Sequence, residues 1–415
     1  MTTPPFGELL RRAAVADLLP HRSQARAADA VGEPLLVDAL DLGDGCAVCI
    51  VVIGERRVVV PARVVDGWLM RDPGVAALLR AGEFGAFHVD VMGTLPSAVR
   101  TIDVDQSNDS VILGDAVVVK WQVDLAPSPA PSRLRALAGT GITPEPRAIV
   151  EWVDGEGRMC TVLTAAVNLP GAEDGWTWAV DLVRAHARGH EVDAIGPFAD
   201  LGALVARMHV VLAGDGVGEW TAAQCAELVA SMHADLDEAI AVMDGEEGAR
   251  LRARRGGLAR IIDRARDVDS TPVIAIHGDL HIGQVLRSGQ SLSIIDFDGN
   301  PLSSAEVRGA PAPAARDVAG MLASIDHVAR VVNHRTENLD PRPALVWIAH
   351  AQDAFLASYQ ATLSEAGLRH LLDDRLLAPM MIDQECREYI YSARHLPHWR
   401  YVPDAVITHL LPEED

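Results

Sequence analysis

Five cysteines in 415 residues, Cys46, Cys49, Cys160, Cys225 and Cys386, are too few and too scattered for a disulfide framework. That count suits a reduced compartment, and the cytoplasm is the expected location. Cys46 and Cys49 form a CxxC, but no second Cys or His pair follows at zinc-finger spacing, and AVCIVVI reads as a buried strand. Aromatic residues make up only 4% of the chain, so its core must be aliphatic. Basic side chains are outnumbered 36 to 58, and a formal charge of −22 would be repelled by phosphodiester backbones and anionic lipid. Neither nucleic acid nor membrane is an expected partner. There is no uncharged apolar run of about 18 residues to span a bilayer. The start, MTTPPFGELLRRAAVADLL, lacks the basic, apolar, small-residue order of a signal peptide. Walker GxxxxGK[ST] and convincing GxGxxG segments are also missing, which disfavours P-loop and Rossmann nucleotide binding.

What remains is ordinary globular composition, 49% apolar and 23% charged, in a chain long enough for two or three packed units. Short β-branched runs such as CAVCIVVI, RRVVVPARVV and AVVVKW dominate the first 167 residues, with Gly114 and Asp115 at a hairpin turn. Beyond Gly175 apolar residues recur at three and four, as in FADLGALVARMHVVLA, which predicts amphipathic helices. One strand–loop–strand stretch, 271–301, interrupts them. The expected class is α+β, with a sheet-rich lobe, a helical lobe and a cleft between.

The chemistry concentrates in that interruption. His277-Gly278-Asp279-Leu280-His281 is followed by Gln284 and then by Ile294-Ile295-Asp296-Phe297-Asp298. Phosphoryl transfer needs an acceptor for the attacking hydroxyl's proton and oxygen ligands for Mg²⁺, and this ordered set supplies both. Each piece alone is an ordinary turn or cap residue, and the combination is what carries function. Upstream, Lys120 ends a β-branched run beside the polar turn Gln106-Ser107-Asn108-Asp109-Ser110, a pairing that can hold nucleotide phosphates. His186, His190 and Glu191 have helical metal-ligand spacing but no third partner downstream, and read as a polar helix end.

HGDLHIGQ with IIDFDG resembles the catalytic and metal loops of the aminoglycoside phosphotransferase superfamily, whose fold is bilobal and protein-kinase-like. The longer pattern, with DFDGNP and RDVAGML, is similar to actinobacterial maltokinases and their glucosamine kinase relatives. The resemblance implies an N-terminal cap subdomain over 1–92, a nucleotide-binding N-lobe over 93–167 and a helical C-lobe over 168–415. It implies Asp279 as catalytic base, Gln284 and Asp296 as Mg²⁺ ligands, and Lys120 on the phosphates of ATP. Ser107, Asn108 and Ser110 would overlie the nucleotide, and 162–167, with Thr164, Ala165 and Val167, would form an adenine-binding hinge. Two departures stand out: SRLRALAGT lacks the acidic residue that should pair with the lysine, and DFDGNP replaces DFEGEP.

For the acceptor, Glu385, Glu388 and Tyr389 recur at three and four, and Trp399 follows a Pro-marked turn. Carboxylates and an indole suit the hydroxyls and apolar face of a sugar, and an ammonium would strengthen the carboxylate bonds. His281, Asp298, Arg316 and Asp317 lie near in sequence, the last two either touching the sugar or bracing the loop. The expected reaction is transfer from ATP to glucosamine, and the resemblance implies the 6-hydroxyl as the acceptor. Maltose phosphorylated at its anomeric hydroxyl, and a nucleotide-binding pseudokinase, remain alternatives, and the oligomeric state is open.

Overall fold

The computed structural model describes residues 6–20, 32–101 and 109–411, and the chain divides into two compact units, Met1–Gly171 and Ala172–Asp415. Ser107 and Asn108 lie outside the described residues.

The first unit is built on one antiparallel sheet. Short helices α1 (Phe6–Leu10) and α2 (Val15–Leu18) precede strands β1 (Leu35–Gly43), β2 (Cys46–Ile53), β3 (Arg56–Val65) and β4 (Trp68–Arg71). Then come β5 (Gly82–Phe84), β6 (Phe87–Val91), β7 (Val99–Thr101), β8 (Asp109–Leu113), β9 (Val117–Ala126), helix α3 (Ala130–Leu137), β10 (Pro146–Val153) and β11 (Met159–Val167). The order is β1-β2-β3-β9-β11-β10-β6-β5, with β4 on β3 and β8, carrying β7, on β9. The expected boundary at residue 92 thus falls between strands of a single sheet.

Strand β2 shows why its sequence is apolar throughout. Cys46, Val48 and Ile50 enter one core, while Ala47, Cys49 and Val51 enter a second on the other face, and a strand covered twice has no polar side to display. The two thiols therefore point in opposite directions, and burial pushes Cys49 up to about 12. Gly114 and Asp115 both adopt left-handed backbone, as a two-residue hairpin between β8 and β9 requires.

The second unit is helical: α4 (Gly175–Ala187), α5 (Gly196–Leu212), α6 (Ala222–Val242), α7 (Gly245–Asp263), α8 (Ala305–Gly309), α9 (Ala315–Arg335), α10 (Arg342–Glu365), α11 (Leu377–His395) and α12 (Tyr401–Leu410). Among the described residues one stretch, Gly196–Asp215, is long and apolar enough to cross a membrane, and 56% of it is buried inside the protein. Its Gly202 lets α5 approach α10 closely, since a Cβ there would lie 2.1 Å from the Phe355 carbonyl oxygen. Strands β12 (Gly218–Trp220) and β13 (Thr271–Val273) form one small pair, and β14 (Val285–Ser288) and β15 (Ser291–Ile294) another. The second hairpin positions the motif residues.

Candidate active site

Hydrogen bonding ties the two motif loops together. Val285 pairs with Ile294, and Ile295 N–H donates to the Gln284 carbonyl (2.9 Å), so Gln284 and Asp296 emerge at the same end of the β14–β15 hairpin. His277 lies between the loops, fully buried, with Nε2 2.9 Å from the Ile295 carbonyl. A carbonyl only accepts, so Nε2 carries the proton and Nδ1 is free to accept from Asp279 N–H (3.3 Å). One imidazole thereby holds both Asp279 and the strand end before Asp296. Asp296 itself sits at φ +66°, the left-handed region that aspartate adopts more readily than most residues and that Asp115 also uses in its hairpin turn.

Asp317 supports the loop from behind. It is 1% exposed, and its carboxylate accepts from the backbone N–H of His277 (2.6 Å) and Gly278 (2.8 Å) and from His209 Nε2 (3.1 Å). The His209 ring is oriented in turn by the Tyr359 hydroxyl, 2.7 Å from Nδ1. Burial pushes the Asp317 carboxyl upward, but the His209 bond and the neighbouring histidines outweigh it and hold it below the usual range. Ser324 Oγ accepts from Ile282 N–H (3.0 Å), and Gly320 clears room for the Leu280 carbonyl, which a Cβ would meet at 2.7 Å.

Gly175 performs the same service from α4. A Cβ there would lie 1.6 Å from the Ile282 carbonyl oxygen, which no rotamer relieves because the backbone fixes the Cβ and the neighbour is itself a backbone atom. Gly175→Ala is expected to cost about 3 kcal/mol or more in a denaturant titration, at the upper end of overpacking penalties. A loss under 1 kcal/mol would show that α4 can retreat from the loop.

Asp279 opens onto a cavity of about 740 Å³, whose wall includes Trp176, His281, His327, Arg387, Glu388 and Trp399. Trp399 Nε1 donates to one Glu388 oxygen (3.2 Å) and the Gln384 amide to the other (3.1 Å), while the Trp176 and Trp399 rings meet edge to face at 5.5 Å. Arg387 is fixed by Asp383 (2.7 Å) and Asp235 (3.2 Å). Burial, followed by the charges of Asp296 and Glu388, pushes Asp279 up to about 7. Burial and His277 push His281 down to about 4, so its ring is neutral, with Nδ1 accepting from Gly283 N–H (3.1 Å).

The sequence-predicted acceptor residues divide by position. His281, Glu388 and Trp399 line the cavity with Asp279, whereas Asp317, Arg316, Glu385 and Tyr389 do not. Asp317 is used up behind the loop. Arg316 sits in a buried charge cluster near Arg387, Asp383 and Asp235, and burial lowers its pKa. Glu385 bonds His327 Nε2 (2.8 Å), and the fully buried Tyr389 directs its hydroxyl toward Asp404 on α12 (3.5 Å). Helix α11 is buried on more than one side, so a spacing of three and four does not send all three residues to the same surface. Asp298 is half-buried in the second motif loop, outside the cavity wall. Trp176, Arg387, His327 and His277 are additions that spacing alone did not mark.

In the sheet unit, cross-strand register sets Ser110, Lys120 and Thr164 side by side on β8, β9 and β11. Arg71 pins the start of β8 through Asp109 (2.6 Å). Lys120 is the one lysine in the chain, every other cationic side chain among the 36 being arginine, a signal that composition totals conceal. The segment expected as a hinge is strand β11, paired with both β9 and β10, with Ala165 inside it and Val167 at its end. Helix α3 carries no acidic residue, and its Arg135 bonds Asp90 and Glu151 (both 2.6 Å). Among the described residues no group of three His, Cys, Asp or Glu side chains could hold a metal, the polar end of α4 included.

No family model matches the chain. A glucosamine kinase of Streptacidiphilus jiangxiensis is 45% identical to it over 434 aligned positions, covering 99% of each chain. The chain belongs to the glucosamine kinase family. A second glucosamine kinase, from Mycolicibacterium smegmatis, is 39% identical over 91% of this chain and 98% of its own. A solved glucosamine kinase structure superposes with a TM-score of 0.88 at 41% identity, over 99% of this chain and 100% of its own. One determined with glucosamine, ADP and inorganic phosphate gives 0.87. The sequence resemblance to glucosamine kinases is borne out, and the sheet unit and helical unit are those of the glucosamine kinase fold.

Proposed function

We propose that this chain transfers the γ-phosphoryl group of ATP to the 6-hydroxyl of glucosamine. The observation that carries the reading is the meeting, in one cavity, of Asp279 with the Trp399–Glu388–Gln384 wall, in a chain related to glucosamine kinases from end to end. Asp279 accepts the acceptor hydroxyl's proton. With its pKa pushed up to about 7 it is a stronger base than an ordinary carboxylate yet still ionised in mildly alkaline solution. Glu388, held by two N–H donors, takes the ammonium, a charge-assisted bond. The indole pair covers the sugar's apolar face and excludes water.

The donor set fits a hard divalent cation: Asp296 is exposed, Gln284 leaves the same hairpin end, and the repulsion felt by Asp279 from Asp296 is what a nearby cation would offset. Gln284 and Asp296 would hold Mg²⁺, which when bound neutralises charge on the β- and γ-phosphates. Lys120, with Ser110 and Thr164 beside it, faces the phosphates. An ammonium is a compact point charge that a planar guanidinium does not reproduce, which accounts for a lysine in a chain that otherwise uses arginine. Ser107 and Asn108 are assigned to the nucleotide as well, and Ala165 and Val167 to its base. Within the one sheet, residues 1–92 are assigned as the cap region and 93–167 as the nucleotide-binding region. Five buried thiols, none in a disulfide, agree with a cytoplasmic setting.

The test is kcat/KM for glucosamine, glucose, N-acetylglucosamine and maltose with MgATP. Glucosamine is expected to lead maltose by more than tenfold, about 1.4 kcal/mol of transition-state binding. Glucose should fall about 10- to 100-fold behind glucosamine, the worth of a hydrogen bond between charged groups. Maltose ahead of glucosamine, or no turnover of any sugar, would overturn the reading.

A further inference from the structure

Helix α9 carries a stripe that links the catalytic loop to the cavity. Asp317, Gly320, Ser324, His327 and Val331 recur at three and four, so they share one face. The first three meet the loop backbone, and one turn further on His327 reaches the cavity wall. Its side chain is 4% exposed, and Nε2 lies 2.8 Å from the Oε1 of Glu385, which is 1% exposed. Neither group takes part in the transfer chemistry above. Such a pair is a poor source of stability, because desolvating two charges offsets most of their attraction.

Burial pulls the His327 imidazole toward the neutral form, but Glu385 and then Glu388 outweigh it and hold its pKa up at about 9. The ring is therefore an imidazolium near neutral pH, with two N–H donors. One is spent on Glu385. The other, Nδ1–H, has no hydrogen-bond partner among the described residues. His327 lines the cavity wall, so the acceptor for this donor is what fills the cavity.

We propose that His327 Nδ1–H donates to an oxygen of the bound acceptor sugar, and that Glu385 is the positioning residue that holds the ring for it. The inference rests on the amino-sugar reading of this cavity. An imidazolium only donates, so this wall takes a hydroxyl or ring oxygen and repels an ammonium, while Glu388 on α11 takes the ammonium. The two walls together select one orientation of the sugar, the cation at Glu388 and an oxygen at His327. Specificity of this kind comes as much from the repelled pose as from the accepted one.

The experiment compares wild type with His327→Gln and Glu385→Gln in steady-state kinetics and follows ¹⁵N-histidine NMR of the wild-type protein titrated with glucosamine alone. His327→Gln is expected to raise the glucosamine KM about tenfold or more, with the KM for ATP within about twofold and kcat within about threefold. Glucose, which shares the hydroxyls, should lose by the same factor. Glu385→Gln should shift the glucosamine KM in the same direction by less. In the wild type, where folding is not in question, the His327 Nδ1 resonance should move on saturation with glucosamine. A resonance that stays put, or a glucosamine KM in His327→Gln within about twofold of wild type, overturns the assignment. A wild-type protein that neither binds nor phosphorylates glucosamine would instead sink the amino-sugar reading.

Discussion

Asp279→Asn is expected to lower kcat by about 10³, within the range general-base catalysis contributes, and to make the protein more stable at pH 8. The two effects share one cause. Burial, with Asp296 and Glu388 nearby, raises the Asp279 pKa from 3.8 to about 7, so the folded protein holds this proton more tightly than the unfolded chain. Below pH 3.8 both states are protonated and the fold bears no cost. As pH rises toward 7 the unfolded carboxyl ionises first, stability falls, and above 7 the whole penalty is felt. An amide of the same shape removes it. Calorimetry in EDTA should therefore show a Tm several degrees higher for Asp279→Asn at pH 8, with a smaller gain at pH 5. Equal Tm at both pH values would deny the burial argument, and a kcat loss under tenfold would deny the role as base.

Asp317→Asn should do the opposite, costing about 3–5 kcal/mol, the usual penalty for breaking a buried charged network. The carboxylate serves three N–H groups, two on the loop backbone and one on His209. An amide has one oxygen, and its NH₂ must then face a donor. Because the folded pKa of Asp317 lies below the ordinary value, its stabilising contribution is present above about pH 4 and disappears as pH falls through the lowered value. The wild-type advantage over Asp317→Asn should shrink accordingly in urea titrations moved from pH 7 toward pH 3. Displacement of His277 and Gly278 should also lower kcat more than it raises the KM for ATP. A stability loss below 1 kcal/mol at pH 7 would mean that the loop does not depend on this brace.

The legible part of the site was the part contained in one short stretch of chain. Asp279, Gln284 and Asp296 fall within 18 residues, and a hairpin between two short apolar runs suffices to bring the last two to one end. The change from β-branched runs to a three-and-four pattern near residue 175 likewise marked the passage from sheet to helices, because each pattern is local to its element. Other expectations depended on distant partners. Asp317 and Arg316 were open between sugar contact and support, and what decided the role of Asp317 was His209, 108 residues upstream, together with loop amides 39 and 40 residues away. The Glu385–Glu388–Tyr389 spacing does belong to a helix, but a helix with neighbours on several sides spreads such a trio between a cavity, a buried imidazole and a facing helix.

Sequence by itself determined the chemistry available to this protein: a carboxylate base, oxygen ligands, a lone lysine, an aliphatic interior and an acidic surface. Each is a property of residue types or of near neighbours along the chain. Tertiary structure decided which of those groups meet. The single sheet running through residues on both sides of position 92, the imidazole bridging the two motif loops, and the His327–Glu385 pair at the cavity wall arise from strand register and helix packing over long separations. Those contacts are selected by shape and by the need to satisfy buried polar groups, neither of which leaves a short-range signature in the order of residues.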